Sequence, residues 1–299
     1  MNNNWGSLSK ESRKRLLTAR AVDENGEVIE GVQIVLTQKY TQEQREFSQD
    51  REILNSHAKN SGGFVRAFYA KATSIDATYP DLKKEDLARL LFLSTYIQYE
   101  TNQIRYENGR AISREQLCEL LQMQARRFNE FLDRAIAADF LSYDEEESIF
   151  CMNDERFYRG SSNRHAGETK DLASVRIYRN TIRDLYNDYC KTRALATLSL
   201  VYRVLPYVSY ATNVLSHNPE SDAGEIKPID VTELQQIFSY STKQKMVQAL
   251  QKIRLKDEPL FLIVDNPHDL KKQRVIMNTR VVFAGKGKHL DSINVLFNK

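Results

Sequence analysis

The sequence predicts an α+β fold, mostly α-helical with small β-hairpins, in which one domain-sized unit occurs twice. Two observations predict it: helical and hairpin patterns follow one another in the same order in both halves, and short motifs of the first half return in the second. The matching pairs are Val65–Phe68 with Val175–Tyr178, Tyr96–Asn102 with Tyr207–Asn213, and Cys151–Gly160 with Ile276–Gly285. Because the pairs are collinear, they indicate a duplicated domain and not a short solenoid repeat.

The first 63 residues precede the first copy and predict a separate extension. Asn25-Gly26 lies between two apolar segments, and Asn-Gly is a strong signal for a β-hairpin. The polar stretch 41–59 carries a thin apolar stripe, which predicts a surface helix. Asn60-Ser61-Gly62-Gly63 predicts a linker or tight turn before the first copy.

The two copies occupy residues 64–163 and 164–299, and the second also contains a linker helix and a basic C-terminal tail. Each copy has an apolar helix first, at 86–99 and at 193–210, where Pro206 interrupts the second one. Another helix then begins at a capping box, formed by Ser113 with Gln116 and by Asp230 with Glu233.

A short turn follows each capped helix, and a third helix comes next, at 125–139 and at 242–255. Two strands then predict a β-hairpin in each copy. The first pairs 140–143 with 148–152, and the second pairs 260–264 with 274–277 around a longer tip at 265–273. Helix, helix, short turn, helix and hairpin is the order of a winged helix-turn-helix.

That order predicts double-stranded DNA as the partner. The short turn crosses two helices, so that the second one projects into the major groove, which is about 12 Å wide. Arg recognises guanine and Asn or Gln recognises adenine, while Lys and Arg on the hairpin contact phosphates. The candidate DNA-binding residues are Gln124, Arg126, Arg127 and Asn129 in the first copy and Thr242, Lys243, Gln244, Lys245, Gln248, Lys271, Lys272 and Arg274 in the second.

Charge is divided unevenly between the copies. Residues 64–163 hold 13 Lys and Arg against 17 Asp and Glu, whereas residues 164–299 hold 21 against 14. The second copy is therefore expected to supply more of the attraction to phosphate. The acidic tip 144–147 of the first hairpin would be repelled by DNA and is expected to face solvent or a basic protein.

The repeated tyrosines have two interpretations. Tyr96, Tyr99, Tyr207 and Tyr210 could stack on single-stranded bases, but their place at the end of an apolar helix favours core packing. Asn102 and Asn213, which follow these tyrosines, are predicted to lie at helix ends or in turns.

The segment 112–160, which ends in Met152-Asn153-Asp154-Glu155-Arg156-Phe157-Tyr158-Arg159-Gly160, resembles the winged-helix region of firmicute plasmid replication proteins. Asp154 stands where that family often has Pro. Two such domains in one chain are similar to the tandem winged-helix initiators of plasmids and phages. The resemblance implies binding to origin or operator repeats in the cytoplasm of a bacterial host.

Other classes of function find little support in the sequence. The five histidines are isolated, the three cysteines form no CxxC pair, and no phosphate-binding loop is present, so we expect no enzyme, metal or cofactor. Neither a signal peptide nor an apolar stretch long enough to span a membrane is found. Three hypotheses remain: a replication initiator, a transcriptional regulator, and a factor that binds proteins through winged helices. A homodimer and host replication or other host proteins are compatible partners.

Overall fold

The computed structural model describes residues 24–25, 27–28, 42–70, 73–161, 172–191, 194–266 and 269–297, with backbone alone for 266 and 269–272. The chain forms two compact units, residues 1–50 and residues 51–299. The fold is mixed helix and sheet with small antiparallel hairpins, as the sequence predicts. The predicted hairpin around Asn25-Gly26 lies largely outside the described residues.

The first half contains five helices and four strands among its described residues. They are α1 (Gln42–Asn60), β1 (Phe64–Ala70), α2 (Ile75–Thr78), α3 (Lys84–Ser94), α4 (Arg114–Leu120), α5 (Ala125–Ala137), β2 (Leu141–Asp144), β3 (Ile149–Met152) and β4 (Phe157–Tyr158). The predicted polar helix before the first copy is confirmed as α1. The glycines after it form a tight turn, in which Gly63 N donates to Ala58 O at 2.7 Å.

The second half has a similar order of elements. They are β5 (Leu172–Tyr178), α6 (Arg179–Tyr189), α7 (Leu195–Leu198), α8 (Leu200–Arg203), a 3-10 turn (Leu205–Tyr207), α9 (Val231–Ile237), α10 (Lys243–Lys252), β6 (Arg254–Leu255), β7 (Glu258–Pro259), β8 (Phe261–Asn266), β9 (Asp269–Met277), β10 (Val282–Phe283), a second 3-10 turn (Gly287–His289) and α11 (Leu290–Asn294).

One antiparallel sheet joins the halves, with the strand order β10-β5-β1-β4. The two central strands come from the motifs that the sequence repeats, and Arg66 pairs with Arg176 in their ladder. Like charges placed directly opposite destabilise a sheet. Here both guanidinium groups also lie over the ring of Phe64, at 5.7 and 5.9 Å from its centroid.

Alternation along the central strands divides the core between the two faces of the sheet. Val65, Ala67 and Val175 point into the main core, which contains the apolar side chains of both halves. On the other face, Tyr178 and Phe283 join a smaller core with residues of α1 and α11. The predicted basic tail is therefore partly structured, because Leu290, Ile293 and Phe297 are buried.

Polar contacts also connect the halves. Arg179 Nε donates to Thr95 O at 2.7 Å, and Arg183 Nη1 donates to Glu107 Oε1 at 2.7 Å. Although burial raises the pKa of Glu107, hydrogen bonding to Arg183 and the charge of Arg179 outweigh it and hold this pKa below its usual value. Residues 51–299 thus form one compact unit in which arginines of the second half bind carbonyl and carboxylate groups of the first.

Both predicted capping boxes are confirmed. Ser113 Oγ accepts from Gln116 N at 3.3 Å, and Gln116 Oε1 accepts from Ser113 N at 3.1 Å. Asp230 Oδ1 accepts from Glu233 N at 2.9 Å, and Glu233 Oε2 accepts from Asp230 N at 2.9 Å. These reciprocal bonds satisfy backbone donors that a helix start leaves free, so α4 and α9 begin where the sequence predicts.

The apolar helices predicted at 86–99 and 193–210 are shorter than predicted. α3 ends at Ser94, and the hydroxyl groups of Ser94 and Thr95 donate to the carbonyl oxygens of Leu91 and Phe92 in its last turn, both at 2.7 Å. The predicted helix at 193–210 is divided into α7, α8 and a 3-10 turn. Ser199 donates in the same way to Ala196 O at 2.6 Å, and Pro206 has no N–H to continue the helix.

The end of the third helix and the second hairpin also differ from the prediction. α10 ends at Lys252, because Ile253 is extended and a short β6–β7 ladder follows. The predicted long tip at 265–273 is mostly strand, since Asp265 pairs with Gln273 and Asn266 pairs with Asp269 across an irregularity. The hairpin β8–β9 is consequently longer than the hairpin β2–β3.

Candidate nucleic-acid interface

The amphipathic helix α5 carries the candidate residues of the first half. The chain leaves α4 through Gln122, whose positive φ of 54° allows a sharp change of direction. One side of α5 is anchored in the core by Phe128, Phe131, Leu132 and Ala135. The four candidate residues Gln124, Arg126, Arg127 and Asn129 are exposed, and the Arg126 side chain is 93% exposed.

Side-chain contacts partly engage this exposed face. Arg126 Nε lies 3.3 Å from Glu130 Oε1, an exposed ion pair one helical turn apart that contributes about 0.3–0.5 kcal/mol. Arg114 Nη2 donates to Asn129 Oδ1 at 2.9 Å, so Asn129 keeps its amide N–H groups for another acceptor. Arg114 is exposed at the first position of α4, and its sequence context does not indicate this contact, because a lone cation in a first helical turn is ordinarily solvated.

Helix α10 holds the corresponding place in the second half. Met246, Ala249 and Leu250 are buried, whereas Gln244, Lys245 and Gln248 are exposed. Two candidates differ from the prediction: Lys243 is partly buried, and the Thr242 hydroxyl accepts from Lys245 N at 3.2 Å as the helix cap. Thr242 therefore has a structural role that its exposed position alone does not indicate.

Helices α5 and α10 differ in charge. Helix α5 carries Arg126, Arg127 and Arg134 together with Glu130 and Asp133, whereas α10 carries three lysines and no acidic residue. The attraction to a polyanion is therefore greater at α10, in the half that also has the larger positive charge.

The acidic tip of the hairpin β2–β3 is held by its own contacts. Asp144 Oδ1 accepts from Glu146 N and Glu147 N at 3.0 and 3.1 Å. Glu147 Oε2 in turn accepts from Gln103 Nε2 at 2.6 Å and lies 3.4 Å from Arg105 Nη2. One of the four acidic side chains at this tip is thus partly neutralised within the chain, while Asp144 shapes the turn.

On the hairpin β8–β9, Arg274 is exposed and pairs with Val264, which is 37% exposed. The backbones of Lys271 and Lys272 belong to β9, and their side chains lie outside the described residues. The structure therefore places the candidate residues on α5, on α10 and on the second hairpin, and their recognition of DNA stays a prediction.

The repeated Tyr and Asn residues have mainly structural roles. Tyr96 packs on Phe92, and Arg183 lies 4.1 Å from its ring centroid. Tyr207 and Tyr210 are partly buried against the main core. The prediction of core packing is wrong for Tyr99, which is 55% exposed because the helix ends before it.

Asn102 and Asn213 lie in turns, as predicted, but the sequence did not indicate their tertiary contacts. Each is buried with a φ near +55°, and Asn102 Nδ2 donates to Met152 O and Phe157 O at 2.9 and 2.7 Å. Asn213 Nδ2 donates in the same way to Met277 O and Val282 O at 2.9 and 2.8 Å. Both amides therefore tie the hairpin and the sheet strand of their own half to the turn before the capped helix.

Groups that could support catalysis are dispersed. In the part of the chain that the structure describes, no three His, Cys, Asp or Glu side chains come together as metal ligands would. Cys118, Cys151 and Cys190 are free and partly buried, and burial raises the pKa of each thiol, which disfavours the nucleophilic thiolate. Among the described residues, no helix combines the length and apolar character needed to cross a bilayer.

Comparison with known proteins adds no relative, since no family model, no curated protein and no solved structure matches the chain.

Proposed function

We propose that each half is a winged helix-turn-helix domain, that the two domains arose by duplication, and that together they bind double-stranded DNA in a sequence-specific manner. The observation that carries this proposal is the recurrence of one arrangement in both halves. A helix begins at a capping box, a short turn follows, the next helix has a polar exposed face, and an antiparallel hairpin comes after it.

Additional pairing supports the same topology. The residue after Asn102 forms a bridge with Cys151, and Val214, which follows Asn213, forms one with Ile276. Each hairpin is thereby joined through a single bridge to the segment before the capped helix. A small sheet of this kind beside a helix-turn-helix is what holds a wing at the edge of the helix that enters the major groove.

In the proposed mode of binding, α5 and α10 enter the major groove of the DNA. Arg126, Arg127, Asn129 and Gln244 contact base edges, because their donors and acceptors match guanine and adenine. Lys243, Lys245, Lys271, Lys272 and Arg274 contact phosphates, which gives affinity without sequence preference. The biological role proposed for this activity is initiation of plasmid or phage replication at origin repeats.

Selection of bound fragments from random duplex DNA, repeated at two salt concentrations, tests this function. An enriched motif with two parts about one helical turn apart, together with affinity that falls steeply with salt, would support it. Repeated copies of that motif beside the gene would favour an initiator over a transcriptional regulator. Absence of both enrichment and salt-dependent binding would refute DNA recognition.

The first hairpin favours a second candidate function, in which the first half binds a basic protein. Its tip carries Asp144, Glu145, Glu146 and Glu147, and the neighbouring Tyr143 is 45% exposed. An acidic loop beside an exposed aromatic ring suits a cationic protein surface better than phosphate. Replacement of Glu145 and Glu146 by Gln would weaken such a complex, whereas it would strengthen DNA binding or leave it unchanged.

A further inference from the structure

The central strands relate the two halves by a two-fold axis. Arg66 and Arg176 occupy the same place in the repeated motif, and they face each other in the ladder. Their neighbours are paired reciprocally, since Phe64 pairs with Tyr178 and Phe68 pairs with Ser174. Equivalent strands that run antiparallel about an equivalent pair are related by rotation through half a turn, whereas a translated copy would run parallel.

The outer strands obey the same symmetry. Strand β4 pairs with β1 through Tyr158 opposite Arg66 and Phe157 opposite Ala67. Strand β10 pairs with β5 through Phe283 opposite Arg176 and Val282 opposite Ile177. Both outer strands are tied to their own half by the matching amide bonds of Asn102 and Asn213. The two-fold relation therefore holds for all four strands of the sheet, and the amide bonds of Asn102 and Asn213 connect the hairpin of each half to its outer strand.

We infer that one chain recognises a DNA site whose two half-sites are inverted with respect to each other. Helices α5 and α10 then contact corresponding positions on opposite DNA strands. This inference rests on the proposed DNA-binding function and adds the relative orientation of the two half-sites in the DNA. A two-fold axis in the protein that binds both half-sites must coincide with a dyad of the duplex, because only a dyad places the two grooves in equivalent orientations.

The half-sites are inverted in orientation but differ in sequence. The buried pairs Phe128 with Met246 and Leu132 with Leu250 align the two helices. With this alignment, Arg126 corresponds to Gln244, Arg127 to Lys245 and Glu130 to Gln248. Since the matching side chains differ, so do the bases that they favour. A search for a perfect palindrome would consequently miss the site, and the strand that each helix contacts is the informative measurement.

A photo-cross-linking experiment on the full chain determines that strand. A photo-reactive aromatic amino acid replaces Glu130 in one protein and Gln248 in another, because both positions are exposed and hold matching places. Each protein is bound to the duplex obtained from the random selection, and a filter-binding titration first measures its Kd. Irradiation above that Kd, followed by strand-specific sequencing, shows which strand each helix contacts.

The expected result is a cross-link to one strand from position 130 and to the other strand from position 248, about one helical turn away. Cross-links from both positions to the same strand would mean head-to-tail half-sites and would overturn the inference while DNA recognition stands. A cross-link from only one of the two positions on a single duplex would also overturn it. If the unmodified chain selects and binds no duplex, the proposed function is refuted instead, and the same titration carried out on the unmodified chain detects this outcome separately.

Discussion

Asp86 Oδ2 accepts a hydrogen bond from Arg134 Nε at 2.7 Å, and Asp86 Oδ1 accepts a second from Arg134 Nη2 at 3.1 Å. Asp86 is completely buried on α3, whereas Arg134 lies on α5, so the pair fixes α5 to α3. The hydrogen bond to Asp86 also raises the pKa of Arg134. Because the pair is bidentate, it fixes the rotation of α5 about its axis as well as its position.

Replacement of Asp86 by Asn tests this pair. We expect the free energy of unfolding to fall by about 2–4 kcal/mol, because the Asn amide N–H groups cannot accept from the arginine donors. Urea denaturation followed by circular dichroism measures the change. Asp133→Asn, on the exposed face of the same helix, serves as the control and is expected to change stability by no more than about 0.5 kcal/mol. Equal effects of the two substitutions would contradict this role.

The matching asparagines provide a second test. Asn102→Gly keeps the positive φ but removes the two bonds to Met152 O and Phe157 O, so we expect a loss of about 2–4 kcal/mol. Asn102→Ala should cost about 1–2 kcal/mol more, because alanine is strained in the left-handed region. Chemical denaturation of the same substitutions at Asn213 gives an independent measurement. Losses at one position but not at the other would show that the two turns do not act alike.

The parts of the fold that depend on neighbouring residues could be predicted from the sequence. Ser113 with Gln116 and Asp230 with Glu233 form boxes of four residues, so a local pattern contains all the information for the starts of α4 and α9. The positions of the helix ends are predicted less accurately than the starts. Ser94, Thr95 and Ser199 turn their hydroxyl groups back to carbonyl oxygens, and apolar periodicity does not indicate that choice.

Contacts between distant residues could not be predicted in this way. The pairing of β1 with β5 joins residues about 110 positions apart, and β4 and β10 are each only two residues long. The bonds of Asn102 to residues 152 and 157 likewise depend on tertiary structure. At the candidate site, exposure of Arg126 and Arg127 followed from helical periodicity, whereas the contact of Arg114 with Asn129 required the crossing of two helices.

His57 gives the protein a testable dependence on pH. Its Nε2 lies 3.1 Å from Thr279 O, and its ring meets Tyr178 edge to face at a centroid distance of 4.6 Å. Burial lowers the pKa of His57 below 6.5 and Arg280 lowers it further, although the Thr279 carbonyl and Asp291 raise it. Since the folded state binds the proton more weakly, the stabilisation is present above pH 6.5 and is lost as the pH falls through the folded pKa.

We therefore expect the free energy of unfolding to fall between pH 7.5 and 5.5, and to fall less in His57→Gln. Glutamine can still donate to the Thr279 carbonyl oxygen but does not titrate in this range. Urea titrations of both proteins at the two pH values give the comparison. If the free energy of unfolding falls by the same amount between the two pH values in both proteins, His57 does not contribute to the pH dependence.

Gly285 lies where the chain after β10 passes close to the turn that contains Tyr210. An added Cβ would be 2.1 Å from Tyr210 O and 2.8 Å from Phe283 Cζ. Because one of these atoms belongs to the backbone, we expect Gly285→Ala to lower the free energy of unfolding by about 1–3 kcal/mol. Gly224→Ala is the matched control, since nothing lies within 4 Å of its added Cβ. Thermal unfolding measures the stability of both variants. An equal loss of stability in Gly285→Ala and Gly224→Ala would contradict the close approach.

Arg126 is proposed to contact bases and Arg274 to contact phosphates, so their substitution should affect binding to a selected target sequence differently. Arg126→Ala should lose about 1–3 kcal/mol of binding free energy at one base pair and relax specificity there, because its exposed guanidinium is free to leave the weak pair with Glu130. Arg274→Ala should weaken binding to all sequences alike and reduce the salt slope by about 1. Fluorescence anisotropy with the selected duplex and single-base variants, at several salt concentrations, separates these effects. Equal, sequence-independent losses from both substitutions would refute base recognition by α5 and would leave the first half to the protein-binding role that its acidic hairpin favours.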